Sequence, residues 1–327
     1  MKKKKNVFKS VVWWLTKPAK WRETIETLAE KEIKLGVVIF VFVCLVVFSS
    51  TFLMGRTYDR SHLYNILVEA HGLVFDIFVF GIIVMIFNKF AERRRNILRW
   101  IEEIDDYKGW DEKEAMYRIV GNIKRLNREK VTRINLHDCF LEKANLSGLN
   151  LQKTHFENAH LDFANLRFAS LMKANLEGAH LKGAHLVGAN LEKANLWEVD
   201  FMGAELFAAN LVGAHLSGAR LKGACLAVTN LAGTVFWRAD LEGVDLGSAH
   251  LVGADLFEAN LGRVNFDRAN LDRVNLEGAN LTGAKNLTLN QLSKVETLYK
   301  AKLDPELLAE VKQKYPHLLE NHKPEKK

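Results

Sequence analysis

The chain has 327 residues, of which 48% are hydrophobic and 26% are charged, with 21 glycines, 4 prolines and 3 cysteines. This composition excludes a disordered chain, a collagen and a disulfide-stapled domain, and the length allows about two domains. The net charge of +7 is uneven: residues 1–133 carry 25 basic and 16 acidic side chains, residues 134–285 carry 13 and 17, and residues 286–327 carry 8 and 6. The basic excess therefore needs an explanation in the N-terminal third.

The first segment, residues 1–34, is basic and contains Trp13, Trp14 and Trp21. This combination predicts a cytoplasmic segment at a membrane interface, with a small soluble helical cap as the alternative. Residues 35–54 are twenty apolar or uncharged residues, long enough for a helix to cross a hydrocarbon core of about 30 Å. We therefore predict a transmembrane helix here, because the segment is apolar on all faces and unlike a buried helix of a soluble protein.

A second span is predicted over residues 66–87, after a short external loop over 55–65. It contains three polar residues, Glu69, His71 and Asp76; Glu69 and Asp76 share one helical face with Gly72, and His71 points elsewhere. A carboxylate at the depth of Asp76 costs several kcal/mol on insertion scales, so it needs a partner, a proton or water. Two interpretations stay open. In the first, the face is an oligomer seam or a polar path through the membrane. In the second, Glu69 and His71 lie at the interface and only Asp76 is deep, hydrogen-bonded across the hairpin.

Basic residues flank both predicted spans and are sparse in the loop between them, which places both termini in the cytoplasm. Residues 88–133 are predicted to form a juxtamembrane helical stalk. Gly109 interrupts it, and Asp111 is predicted to N-cap a second helix with Glu114 as its capping-box partner. The arginine-rich start of the stalk is explained by the membrane flank better than by contact with nucleic acid. Three unpaired cysteines, Cys44, Cys139 and Cys225, indicate free thiols in a reducing compartment.

From Leu136 to Leu281 every fifth residue is leucine or phenylalanine, at thirty consecutive positions. The residue two places before each is usually alanine, the residue just before it is usually Asn, Asp or His, and the second residue after it is often glycine. A period of five fits neither a helix nor a single strand and predicts a solenoid. Four units would form a coil of twenty residues, and coils stacked at about 4.8 Å would form a rod of roughly 36 Å.

This pattern resembles the pentapeptide-repeat family, whose consensus is A(D/N)LXX, and residues 179–196 (AHLKGAHLVGANLEKANL) match it nearly unit for unit. The resemblance implies an all-β solenoid, a right-handed quadrilateral β-helix over residues 134–285, preceded by the transmembrane hairpin and stalk. After Ala284 the period fails. We predict two short capping helices within residues 286–320, over 286–302 and 304–315, and a disordered tail over 321–327.

Residues twenty apart should stack, so the outer faces can be examined as columns. One column contains Trp197, Trp237 and Phe257, three exposed aromatic side chains typical of a contact surface; packing under the stalk or a C-terminal helix is the alternative. A short basic stripe, Lys153, Lys173 and Lys193, could meet lipid headgroups or an acidic partner, although a solvated face is the simpler interpretation.

A further column consists of His160, His180, Asp200, Arg220 and Asp240, which suggests a ladder of opposite charges rather than a metal or acid–base site. The chain contains no phosphate-binding loop, no nucleophile elbow, no HExxH motif and no paired-cysteine zinc motif. We therefore expect no catalytic residues, no metal and no cofactor.

The sequence favours a non-catalytic scaffold of the bacterial inner membrane that presents a cytoplasmic rod for protein binding or self-association. The alternative is a membrane effector or channel-like oligomer that uses the polar second span. The family resemblance adds a lesser alternative, a DNA mimic that binds gyrase or another topoisomerase. That role requires a strongly acidic rod, whereas residues 134–285 carry a net charge of only −4. This charge argues against the DNA mimic, and its negative sign argues against a nucleic-acid partner.

Overall fold

The computed structural model describes the backbone of residues 60–321 and the side chains of residues 69 and 72–321. The basic segment 1–34, the predicted first span 35–54 and residues 322–327 of the predicted disordered tail lie outside the described residues. The chain divides into two compact units, Met1–Asn96 and Ile97–Lys327.

Helix α1 runs over Arg60–Asp106. It begins inside the predicted loop, covers the predicted second span and continues into the predicted stalk. Its apolar side chains are exposed, with Leu73, Ile77 and Phe80 between 63% and 68% accessible. Among the described residues, this is the one helix that is long and apolar enough to cross a membrane, counted from Gly72.

Helix α2 runs over Lys113–Arg128, after Gly109, whose φ of 73° breaks the preceding helix. Ile119, Ile123 and Leu126 are buried on one side, at the spacing seen in the sequence. The predicted capping box is absent: the N-cap residue is Glu112, with no side-chain cap hydrogen bond. Glu114 instead accepts hydrogen bonds of 2.9 and 3.1 Å from Arg118, because residues four apart are neighbours on a helix.

The repeat segment forms parallel β-bridges between residues twenty apart, from Asn135 with His155 to Asn265 with Lys285. The bridges form four columns, so each coil of twenty residues has four sides. We define side 1 as the column that starts at Asn135, side 2 at Phe140, side 3 at Asn145 and side 4 at Asn150. The predicted coil length is confirmed.

Two inward positions of each five-residue unit form a continuous core. The central leucines and phenylalanines of the coils are almost completely buried, and so are the alanines two places before them. Threonine replaces alanine at a few of these positions, and its hydroxyl then bonds to a backbone carbonyl; Thr234, for example, donates to Leu211 at 2.9 Å. A single unit could not bury these side chains by itself. Stacked coils bury them against each other, and this close packing stabilises the solenoid.

The third outward residue of each unit turns the corner with a positive φ, which favours glycine. At two of these corners an aromatic ring of the preceding coil also lies where a Cβ would stand. A Cβ at Gly183 would lie 2.5 Å from the ring of Phe163, and one at Gly188 would lie 2.7 Å from the ring of Phe168. Two aromatic rings therefore cover glycines of the next coil.

The solenoid continues beyond the predicted end. A helix was predicted over residues 286–302, but α3 covers only Leu289–Leu292, and Thr297 and Lys302 then pair with residues of the previous coil. This prediction was wrong because the repeat resumes after an insertion: these pairs are twenty-two residues apart instead of twenty. Helix α4 follows over Pro305–Lys314, and a 3-10 helix covers Pro316–Leu319.

Candidate interaction surface

The aromatic column of side 1 is exposed. Trp197 is 42% and Trp237 is 50% accessible, while Phe257 is half-buried. The rings of Trp237 and Phe257 meet edge to face, with centroids 6.5 Å apart. Ser217 stands between the two tryptophans in the column and is only 8% accessible. The column therefore presents a preformed aromatic surface on a rigid ladder.

The polar edge of Trp237 is already satisfied within the rod. Its indole Nε1 donates to Asp255 Oδ2 at 2.6 Å. A partner could therefore cover this indole without leaving its N–H unpaired, which is the arrangement that favours tryptophan in contact surfaces.

The aromatic column borders a wider surface without formal charge. Three stretches of successive coils contain no Lys, Arg, Asp or Glu: residues 206–219, 223–237 and 246–254. The first two stretches pass over sides 3, 4 and 1 and expose Phe207 at 45% and Val228 at 47%. The third stretch covers only sides 3 and 4, because the side 1 residue of its coil is Asp255. We call the outward residues of these three stretches the uncharged surface. Sequence analysis missed Phe207 and Val228, because they are twenty-one residues apart and so fall in different columns of side 3.

Side 2 carries charges that pair between coils. Arg220 lies 3.0 Å from Asp200, and Glu242 lies 3.0 Å from Lys222 and 3.4 Å from Arg263. The hydrogen bond and charge of Lys222 hold the pKa of Glu242 below its ordinary value. The predicted ladder of opposite charges is present at its Asp200 and Arg220 positions.

The lower part of the same column is aromatic. The rings of Phe140 and His160 stack at 4.3 Å, and those of His160 and His180 stack at 4.8 Å. Within the described residues, no group of three His, Cys, Asp or Glu side chains could hold a metal ion.

Two further histidines bond to carboxylates of the ladders. His185 Nδ1 lies 2.8 Å from Glu205, and this hydrogen bond lowers the pKa of Glu205, with a smaller contribution from Arg167. Partial burial raises the pKa of Glu157, but hydrogen bonds with His155 and Asn175 outweigh that effect and leave the pKa lowered.

The predicted basic stripe lies on the edge between sides 4 and 1. Lys153, Lys173 and Lys193 are exposed and occupy left-handed corner positions, with φ between 56° and 59°. Lys193 Nζ lies 3.6 Å from Glu192. The three lysines stack in successive coils. Among the described ion pairs, no single carboxylate pairs with two of them.

The predicted functional face of the second span lies on α1. Glu69, Gly72 and Asp76 are all exposed, as are the apolar side chains around them. They share a helical face by spacing and belong to a different compact unit from the rod.

Comparisons with known proteins identify the repeat. A family model described as pentapeptide repeats matches in eight copies over residues 139–178, 169–206, 209–247 and 249–285. The chain belongs to the pentapeptide-repeat family. The right-handed β-helix of that family agrees with the parallel twenty-residue ladders described above.

Several solved pentapeptide-repeat structures are similar to this chain. HetL, involved in heterocyst differentiation regulation in the cyanobacterium Nostoc sp. strain PCC 7120, is 32% identical over 53% of this chain and 78% of its own, with a TM-score of 0.45. Full-length QnrB1, a plasmid-mediated fluoroquinolone resistance protein, is 16% identical over 55% of this chain and 96% of its own, with a TM-score of 0.35. Rfr23 from the cyanobacterium Cyanothece 51142 is 34% identical over 29% of this chain and 60% of its own, with a TM-score of 0.24. A comparison with curated protein sequences finds no matching relative.

The thiols of this pentapeptide-repeat protein are free at both described cysteines. Cys139 is buried, and burial raises its pKa to about 12, so it stays protonated and unreactive. Cys225 is partly exposed on side 3. Neither belongs to a nucleophile–base pair among the described hydrogen bonds, and nothing in the described site supports catalysis.

Proposed function

We propose that this protein is a non-catalytic, membrane-anchored scaffold that binds a protein partner through side 1 of its rod. The observation that carries the proposal is a column of the exposed Trp197 and Trp237 and the half-buried Phe257 on a rigid, fully packed ladder. Exposed aromatic residues on a preorganised surface lose little conformational entropy when a partner covers them. Pentapeptide-repeat proteins are generally interaction proteins, which agrees with the absence of catalytic motifs in the sequence.

The membrane anchor is part of the same proposal. The exposed apolar part of α1 supports it, because side chains such as Leu73, Ile77 and Phe80 would otherwise face water. Together with residues 35–54, α1 would form a two-span hairpin in the bacterial inner membrane. The basic residues that flank the spans favour a cytoplasmic location for both termini and for the rod.

The test is crosslinking in intact membranes followed by purification of the full chain. The variant Trp197→Ser/Trp237→Ser/Phe257→Ser should lose its crosslinked partners or oligomers and remain in the membrane fraction. The control is Phe163→Ser, which replaces another half-exposed aromatic residue outside side 1. An unchanged crosslinking pattern and oligomer size in the triple variant would contradict the proposed contact.

The membrane claim has its own measurement. The wild-type chain should resist extraction from membranes at alkaline pH, as an integral membrane protein does. Release of the full chain into the soluble fraction would contradict the anchor and leave the protein-contact claim to be judged by crosslinking.

A second candidate function is a membrane effector whose span oligomerises around Glu69, Gly72 and Asp76. The observation that favours it is that Asp76 is exposed on an apolar helix, where a carboxylate needs a partner. Overexpression of the wild type should then disturb growth or membrane potential, and Asp76→Ala should relieve the effect. Normal growth and potential with both proteins would exclude this function.

A further inference from the structure

The four sides of the rod differ in the balance of their outward charges. In the first six coils, residues 135–253, side 4 carries three basic residues and one acidic residue. Over the same coils side 1 carries one basic and four acidic residues, side 2 carries four and five, and side 3 carries one and two. Side 4 is therefore the one side of these coils with a positive net charge, and an anionic surface approaches it with the least repulsion.

The positive charge of side 4 comes from the basic stripe along its edge with side 1. Lys153, Lys173 and Lys193 are exposed and follow one another about 5 Å apart in successive coils. Lys193 lies 3.6 Å from Glu192, whereas Lys153 and Lys173 belong to none of the described ion pairs. Two ammonium groups of the stripe therefore lack a partner of opposite charge in the described part of the rod.

The carboxylates that border the stripe on side 1 already accept hydrogen bonds from asparagines. Asn175 Nδ2 donates to Glu157 at 2.6 Å, and Asn195 Nδ2 donates to Glu177 at 3.1 Å. These bonds satisfy the carboxylates within side 1, which leaves the lysines at the corner to contact a ligand from outside.

The opposite corner of side 4 exposes an apolar side chain. Phe168, at the corner of sides 3 and 4, is 70% accessible, as exposed as Phe80 of the apolar helix α1 at 68%. Its ring lies against the next coil, where a Cβ at Gly188 would stand 2.7 Å from it. Met172 lies between Phe168 and Lys173 in the same coil. One coil therefore presents an aromatic ring, a thioether and an ammonium group across side 4.

A lipid surface fits this combination better than a protein partner does. Lysine is depleted in protein contact surfaces. At a membrane surface its long stem lets the ammonium group reach the phosphates, while an aromatic ring enters the boundary between headgroups and acyl chains. The cytoplasmic leaflet is anionic and attracts basic segments that lie near it. An anchored rod stays within reach of that leaflet, which raises its effective concentration there.

We propose that side 4 of the rod binds the anionic lipid surface of the membrane, with the basic stripe on the lipid phosphates and Phe168 at the boundary of the acyl chains. This inference rests on the membrane anchor of the proposed function and extends it, because it assigns a ligand to a second side of the rod. Side 1 and its aromatic column stay available to a protein partner.

The experiment is hydroxyl-radical footprinting of the full chain in vesicles of phosphatidylcholine alone or of phosphatidylcholine with phosphatidylglycerol. Met172 on side 4 and Met202 on side 2 occupy equivalent, half-buried positions of their units and serve as probe and reference. The oxidation rate of Met172 relative to Met202 should be at least about threefold lower in the anionic vesicles, because lipid covers side 4 there. Salt at about 0.5 M should restore the rate, because it screens the lysines from the phosphates.

Two pairs of variants separate the charge from the ring. Replacing all three lysines of the basic stripe by glutamine should abolish the protection of Met172. The matched control removes three exposed lysines of side 2 and should keep it: Lys143→Gln/Lys182→Gln/Lys222→Gln. Phe168→Ser should weaken the protection, whereas Phe163→Ser, at the corner of sides 2 and 3, should leave it unchanged.

Equal relative oxidation of Met172 in the two kinds of vesicle overturns the inference. So does protection that survives high salt or the loss of the basic stripe, since the contact would then not depend on anionic lipid. Protection in native membranes without protection in the anionic vesicles also contradicts it, because a protein would then cover side 4. Flotation of the chain with phosphatidylcholine vesicles reports separately on the anchor, and crosslinking of the side 1 variant reports separately on the proposed protein contact.

Discussion

Side 2 and the uncharged surface share one backbone and one core, and they differ almost completely in their outward residues. On side 2, Arg220 pairs with Asp200 and Lys222 pairs with Glu242 between successive coils. On side 4, Val212, Ala232 and Val252 occupy the position of Lys222 and Glu242. The position of Asp200 and Arg220 holds Asn210, Asn230 and His250. Since the core is the same beneath both, the charged ladder is not needed to hold the coils together. We therefore expect the two surfaces to differ in what they contact: side 2 faces water, and under the proposed function a protein partner covers side 1, which borders the uncharged surface.

The comparison is tested most strongly by removing core side chains beneath the two surfaces. Phe201 lies beneath side 2 and Phe236 beneath side 1, and both are fully buried. We expect Phe201→Ala and Phe236→Ala to lower the free energy of unfolding by about 3–5 kcal/mol each, from lost burial and the cavity left behind. Chemical denaturation of the full chain in detergent measures both. A loss confined to one of the two variants would mean that the core is not shared.

Two glycines at the edge of side 2 should show a smaller loss of stability when replaced, and one of them serves as the control for the other. Gly183 and Gly203 occupy equivalent corners with φ of 62° and 67°, but only Gly183 is covered by the ring of Phe163. Gly203→Ala should cost about 1 kcal/mol from backbone strain. Gly183→Ala should cost about 1–3 kcal/mol more, because the new methyl group displaces the ring. Thermal unfolding measures the difference, and Phe163→Ala should remove it; equal losses for the two glycines would show that the ring moves freely.

The ion pairs of side 2 should contribute less than either packing effect. Arg220 is 61% accessible, so Arg220→Gln should cost about 0.2–1 kcal/mol at low salt and less at high salt. Val228→Gln on the uncharged surface is the control and should show no salt dependence. Unfolding measured at two salt concentrations tests this. A large, salt-independent loss in the Arg220 variant would contradict a mainly electrostatic role for side 2.

The smallest effect concerns pH. The hydrogen bond with His185 lowers the folded-state pKa of Glu205. The resulting stabilisation is present above the ordinary glutamate pKa and is lost as the pH falls through the lower folded-state value. Since Glu205 is 46% accessible, the contribution is about 0.5 kcal/mol or less. Glu205→Gln should abolish this part of the acid destabilisation when unfolding is followed from neutral to acidic pH. An identical acid profile in the variant would show that the pair adds no stability.

Period and polarity were enough to predict the coils, because every fifth residue had to be large and apolar for the interior to close. The same logic allowed residues twenty apart to be placed in columns, so Trp197 and Trp237 could be singled out before the fold was known. The five-residue period did not predict the last coil, because an insertion of two residues after Ala284 shifts the pattern. Leu298 and Leu303 nevertheless return to the core.

The extent of the uncharged surface could not be seen one column at a time. It depends on what three neighbouring sides have in common, whereas a single column shows only one of them. The covering of Gly183 by Phe163 was hidden for a similar reason: the sequence shows two corner positions but not the direction in which a side chain leans. The repeat pattern therefore predicts the course of the backbone. The uncharged surface and the contacts between corners become visible only in the stacked coils.

The most direct test of the central claim is hydroxyl-radical footprinting of the full chain in native membranes and after purification in detergent. Our account expects Trp197 and Trp237 to be oxidised several times more slowly in the membrane, where a partner covers side 1. Met202 and His180 on side 2 should be oxidised at the same rate in both preparations. Equal rates for the two tryptophans in membrane and detergent would contradict the claim that this side of the rod is a contact surface.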